Sequence, residues 1–143
     1  MTASAEIESR HLTIQRPFRV LLADSGHHVR ERLTGLLEQQ SLEVMTAEDG
    51  FDVLCRLPEL RPDLLLLASK LPRLSGTQVC SLLRQCPDFR QLTVILMGDE
   101  HTLLDEVRAE LAGADGCLQM PFRLAELQDV LTRIRQQPTA IPR

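Results

Sequence analysis

Pro62-Asp63-Leu64-Leu65-Leu66-Leu67-Ala68-Ser69-Lys70-Leu71-Pro72-Arg73-Leu74-Ser75-Gly76 is the stretch that decides the fold. Four consecutive leucines after Pro-Asp are too few to cross a bilayer and suit a central parallel strand covered on both faces. A proline-bearing loop follows, and Gly76 stands where a helix begins. Ligands in an open α/β sheet gather at the carboxyl ends of its strands. Here Ala68 holds that place, with a methyl group and no functional chemistry.

Outward from this centre, strands and helices alternate. Phe18 to Ala23 is short, apolar and β-prone, and Asp24-Ser25-Gly26 breaks it. Val29, Leu33, Leu36 and Leu37 recur along one helical face, with Asp24 or Ser25 as the expected N-cap. Leu42 to Ala47 reads as a second strand, and Glu48-Asp49-Gly50 as the turn after it. Val53, Leu54 and Leu57 give a second helix, which Pro58 and Pro62 are expected to end. Beyond the central strand, Val79, Leu82, Leu83 and Cys86 repeat at helical spacing until Pro87 stops them. Leu92 to Met97 is a fourth strand and Gly98-Asp99-Glu100 a loop. Leu104, Val107 and Leu111 line a fourth helix that Gly113 ends, and Cys117 to Met120 is a short fifth strand. Leu124, Leu127, Val130, Leu131 and Ile134 mark a final amphipathic helix. Residues 1–16 and 138–143 show no sustained period and read as flexible tails, leaving 17–137 as one domain. Five strands alternating with five helices predict an α/β doubly wound sandwich: a five-stranded parallel sheet with helices on both faces.

A length of 143 residues supports one domain with a full core. The net charge of -4 lacks the clustered basic face of a nucleic-acid binder, and the absence of Trp and Tyr removes a stacking platform for single strands. Lys70 is the single lysine, so positive charge comes from scattered arginines. No signal peptide or spanning run is visible, and the expectation is a cytoplasmic protein without membrane insertion. Cys55, Cys80, Cys86 and Cys117 form no CxxC pair and read as small buried apolar residues rather than metal ligands. His27 and His28 are neighbours, so on a helix they diverge and read as exposed first-turn residues.

From about Phe18 to Ile134 the chain resembles the receiver domain of bacterial response regulators, the CheY-like family. The resemblance rests on Val20-Leu21-Leu22-Ala23-Asp24, Thr46-Ala47-Glu48-Asp49-Gly50, the run from Pro62-Asp63 to Ser75-Gly76, and Gly113-Ala114-Asp115 through Met120-Pro121-Phe122. Within the family, Gly50-Phe51-Asp52, Pro72-Arg73-Leu74 and Gln78-Val79-Cys80 look most like the twitching-motility regulators of type IV pilus chemosensory systems. The resemblance implies a CheY/flavodoxin-like fold and a site of known make-up. That site has a phosphoacceptor aspartate ending the third strand, an acidic pair for Mg²⁺ after the first, a hydroxyl residue ending the fourth, and a lysine before the proline of the fifth. An aromatic in the fifth strand often reports the switch. Carried over by position, these become Ala68, Asp24 with Ser25, Gly98, Met120 and Cys117.

Each replacement removes a physical capability. Phosphoryl transfer needs a nucleophilic oxygen, which a methyl lacks. Mg²⁺ demands hard oxygen ligands in near-octahedral array, and developing phosphoryl charge is met by metal and cation together. Met120 brings no charge and Gly98 no side-chain donor. Ser69 alternates to the opposite side of the strand from Ala68, so its hydroxyl is expected to point away. Asp99 and Glu100 read as a solvated loop. The resemblance therefore implies a degenerate phosphorylation pocket with no catalytic residue, no metal and no cofactor.

Two functions from different classes follow. In one, a stand-alone pseudo-receiver signals by phosphorylation-independent binding to a signalling or motility protein, or to a second copy. In the family, the face built from the fourth helix, fifth strand and fifth helix usually carries partners; here it includes Asp105, Arg108, Glu126, Asp129 and Arg133, which alternatively form a solvated face. In the other, the emptied pocket senses a small ligand. An enzyme is disfavoured: no Gly-rich phosphate loop or nucleophile-base arrangement is present.

Overall fold

A computed structural model describes residues 17–99 and 103–136; the expected tails, and Glu100, lie outside them. Five strands, β1 (Arg19–Ala23), β2 (Glu43–Ala47), β3 (Leu64–Ala68), β4 (Thr93–Gly98) and β5 (Gly116–Gln119), form one sheet in the order β2-β1-β3-β4-β5. Every pairing is parallel. The helices are α1 (His27–Glu38), α2 (Gly50–Leu60), α3 (Gly76–Arg84), α4 (Leu103–Ala112) and α5 (Leu124–Gln136). This is the expected doubly wound (βα)5 sandwich.

The leucine run lies at the centre of the sheet, paired with β1 on one side and β4 on the other, and all five residues of β3 are buried. Leu65 faces Leu21 and Val94 across the ladders, and Leu67 faces Ala23 and Leu96. Burying each leucine contributes about 1.5–3 kcal/mol, and two helical layers allow both faces to do so.

Several local expectations are corrected. The N-cap of α1 is Gly26, without a side-chain bond; the Asp24 carboxylate instead accepts from the Gly26 N–H at 2.8 Å, one step earlier in the chain. Pro58 does not end α2, which runs on to Leu60 and closes on Arg61 in the left-handed conformation (φ 42°). Helix α3 starts at Gly76 behind a Ser75–Gln78 capping box and ends before Pro87, which opens a 3₁₀ turn, Pro87–Phe89. Leu82 is exposed, and Val79, Cys80 and Leu83 are the buried side chains. Of the cysteines, Cys80 is buried but Cys55 is exposed.

The largest correction concerns α4. Two of the three large apolar residues expected to line it face solvent, Val107 at 43% and Leu111 at 82% exposed, while Ala109 and Ala112 pack inward; the Leu104 side chain lies outside the described residues. Periodicity finds two opposite arcs on this helix and does not say which meets the sheet. The rotation is fixed at the C-terminal end. There Gly113 takes φ +94°, Ala114 N–H donates to the Ala109 carbonyl at 3.0 Å, and the Arg84 Nε donates to the Gly113 carbonyl at 2.7 Å. A β-carbon at Gly113 would also lie 2.6 Å from Arg84 Cγ, so this turn requires glycine twice over.

Candidate functional site

The carboxyl ends of β1, β3 and β4 and the segment after β5 surround a concavity of about 450 Å³. Asp24, Ser25, Ala68, Gly98 and Met120 all line it, so five positions scattered over nearly a hundred residues of sequence are brought together. Adjacent register supplies part of the reason, with Ala68 opposite Met97 and Gly98 opposite Gln119. Met120 N–H donates to the Gly98 carbonyl at 2.6 Å, which holds the two walls side by side. Glycine at position 76 lets α3 begin against β3, because a β-carbon there would collide with the Ala68 carbonyl oxygen.

The chemistry of this concavity is thin. Ala68 contributes a methyl that is 7% exposed. Asp24 Oδ1 is engaged with the Gly26 N–H, and Arg30 binds the Asp24 backbone carbonyl at 2.7 Å. Ser69 borders the concavity, contrary to the expectation from strand alternation, but its hydroxyl donates to the Met97 carbonyl at 3.1 Å. Asp99 is exposed on the rim. The residues present do not fit Mg²⁺: among the described residues no three His, Cys, Asp or Glu side chains group as metal ligands, and a methyl occupies the strand end that would face the ion.

The sequence reading missed Arg32 and Lys70, which line the same concavity beside Val29 and Met97. Lys70 lies in the bend two residues past the end of β3, where period-two spacing no longer fixes the side a residue takes. Arg32 carried no local signal. His27 and His28 are exposed as expected, with His27 Nε2 3.0 Å from Glu31.

Cys117 lies elsewhere. It is half-buried on β5 and lines a second concavity of about 890 Å³ between α4, β5 and α5. Burial first, then the Glu106 carboxylate, pushes its thiol up from the ordinary value; Arg133 opposes this and Asp105 adds to it. Of the five polar residues expected on the partner face, Asp105 and Arg133 both act on the Cys117 thiol and Asp129 is exposed. Arg133 lines this concavity, whereas Asp105 and Arg108 meet each other at 3.9 Å and Glu126 lies 3.6 Å from Arg123. At the floor, Arg84 and Asp115 form a 2.9 Å ion pair whose side chains are 10% and 6% exposed.

Residues 20–132 match the response regulator receiver domain family. The chain is 30% identical over 109 residues to Protein PilG of Pseudomonas aeruginosa, covering 76% of this chain and 81% of that protein. It is 35% identical over 119 residues to Response regulator MprA of Mycobacterium sp. strain KMS, covering 83% of this chain but 50% of that one, so it spans about half of that relative's length. Among solved structures, a response regulator from Chloroflexus aurantiacus J-10-fl superposes with a TM-score of 0.79 at 26% identity, over 85% of this chain and 100% of the other. The chemotaxis response regulator CheY4 of Vibrio cholerae gives a TM-score of 0.76 at 23% identity, over 83% and 99%, a likeness of fold.

Proposed function

We propose that this chain, which belongs to the response regulator receiver domain family, is a degenerate receiver that signals by binding a protein partner and takes no phosphoryl group. The observation that carries this reading is the Ala68 methyl at the carboxyl end of β3, inside a concavity whose other walls are Gly98 and Met120. Ala68 itself offers no nucleophilic oxygen at that strand end, and the hydroxyl of the next residue, Ser69, donates to the Met97 carbonyl. The resemblance of Gly50-Phe51-Asp52, Pro72-Arg73-Leu74 and Gln78-Val79-Cys80 to twitching-motility regulators supports a place in chemosensory control of surface motility. The partner face in this reading is the wall of α4, β5 and α5 around Cys117 and Arg133.

The test is incubation with acetyl phosphate and Mg²⁺ followed by intact mass measurement, alongside melting curves with beryllofluoride. The expected result is an unchanged mass and an unchanged melting temperature. A stoichiometric phosphoryl adduct, or stabilisation by several degrees, overturns the reading, because a ligand that binds the folded state raises its stability. A second reading, small-ligand sensing, is favoured by the concavity itself: 450 Å³ lies within the range of ligand sites, with apolar Met97 and Met120 beside Arg32 and Lys70. Saturable stabilisation by one member of a metabolite panel supports it, and a flat panel removes it.

A further inference from the structure

Four charged side chains line the 450 Å³ concavity at the carboxyl ends of the strands: Asp24, Arg32, Lys70 and Asp99. Two are cations and two are anions, yet no ion pair joins any of them to another. Among the described residues, the Arg32 guanidinium, the Lys70 ammonium and the Asp99 carboxylate have no hydrogen-bonded or ion-paired partner. Arg30, two residues earlier on α1, is by contrast spent on the Asp24 carbonyl at 2.7 Å and on Glu48 at 3.5 Å. Asp24 is partly met as well, because Oδ1 accepts the Gly26 N–H at 2.8 Å where α1 begins with its partial positive charge. Two cationic heads and the Asp99 carboxylate are left over around one concavity.

Apolar surface lies between these charges. Met97 is buried and Met120 half-buried, and both line the concavity with Val29 and Pro121. Methionine is unbranched and polarizable, so it adapts to apolar groups of different outline. A plain anion would meet Arg32 and Lys70 but bring like charge toward Asp24 and Asp99, and a plain cation would do the reverse. A ligand carrying both charges suits the whole lining. We propose that the concavity binds a zwitterionic α-amino acid with an apolar side chain. Its carboxylate goes to Arg32 and Lys70, its ammonium to Asp99, and its side chain against Met97 and Met120. The planar fork of an arginine takes a carboxylate through two parallel bonds, and lysine adds a point charge beside it. This names the ligand class of the small-ligand reading above and rests on that reading.

The full chain is titrated by calorimetry with each standard L-amino acid. The tightest binder is then compared with its N-acetyl form, which lacks the positive end, and its amide, which lacks the negative end. Saturable binding of the free amino acid is expected, with each blocked form weaker by about tenfold or more, the worth of one charge-assisted hydrogen bond. Arg32, Lys70 and Asp99 are exposed, so changing them leaves the core intact. Asp99→Asn is expected to weaken the free amino acid and leave the N-acetyl form unchanged. Arg32→Met combined with Lys70→Met is expected to weaken both of these and leave the amide unchanged. A blocked form that binds as tightly as the free amino acid overturns the proposal, as does an affinity indifferent to all three substitutions. If no amino acid binds, the proposal falls, and nucleotides and dicarboxylates titrated alongside decide the broader reading. Binding of one of those keeps small-ligand sensing without this ligand class, and binding of none removes both.

Discussion

Removing Asp115 tests whether the lower end of the domain is organised by one buried ion pair. The Arg84 guanidinium donates to the carbonyls of Gly113 at 2.7 Å, Leu92 at 2.7 Å, Arg90 at 3.0 Å and Phe89 at 3.2 Å, and to Asp115 Oδ2 at 2.9 Å. Asp115 Oδ2 also accepts the Val94 N–H at 2.9 Å. Helix α3, the start of β4 and the turn from α4 into β5 are thus fastened at one point. Asp115→Ala leaves a guanidinium that is 90% sequestered without its counter-charge, and takes a partner from the Val94 N–H. Stranding one member of a buried pair costs about 3–5 kcal/mol. Against a total stability of about 5–15 kcal/mol, that is a large share. Urea unfolding followed by far-ultraviolet circular dichroism measures it, with the unfolding slope unchanged. Asp115→Asn keeps an acceptor and is expected to cost less. A loss under about 1 kcal/mol for Asp115→Ala, the value of a solvated surface pair, refutes the assignment.

The rotation of α4 predicts opposite outcomes at neighbouring positions. Leu111→Ser is expected to change stability by less than about 0.5 kcal/mol, whereas Ala109→Leu overpacks an inward site and costs about 1–3 kcal/mol; the reverse order in thermal melts means that the helix is turned the other way. For Cys117, the raised thiol predicts that thiolate absorbance in the folded chain appears at higher pH than the same residue shows in urea. The folded state holds that proton more tightly than the unfolded state does. Its contribution to stability is therefore complete below the ordinary thiol value and is lost as pH rises above it. Cys117→Ala should flatten that alkaline fall, and an unchanged alkaline limb counts against the shift.

Features carried by short contiguous patterns were legible in the sequence. Leu64 to Leu67 admitted little besides a strand covered on both faces, and Gly113 was readable as a helix stop, as its φ of +94° bears out. Asp24, Ser25, Ala68, Gly98 and Met120 were legible through the resemblance to receiver domains, and each follows or ends a strand, where parallel strands place those ends together. What escaped depended on distance or rotation. Arg84 and Asp115 are 31 residues apart, and neither has a local mark that distinguishes it from other charged residues. Helix α4 carries both an alanine arc and a larger apolar arc, and hydrophobicity alone selects the wrong one. Asp24 was read as a candidate N-cap of α1, but its side chain bonds the Gly26 N–H and leaves α1 uncapped by any side chain.

The loop after Ala68 is held from both ends by backbone and side-chain contacts. Ser69 N–H and Oγ both reach the Met97 carbonyl, at 2.8 and 3.1 Å, and Gly76 N–H reaches back to the Ser69 carbonyl at 2.9 Å. Farther along, Leu74 N–H closes on the Pro72 carbonyl at 2.8 Å while Arg73 takes φ 72° between them. That conformation is uncommon for a side chain as long as arginine, and it places the guanidinium 4.9 Å from the Phe51 ring centroid and 3.8 Å from Asp49. Asp49 in turn caps α2 through the Asp52 N–H at 2.8 Å. The loop is thereby tied to β4 at one end and to the start of α2 at the other, by backbone, an aromatic face and a cap. None of these contacts involves the side chain at position 68.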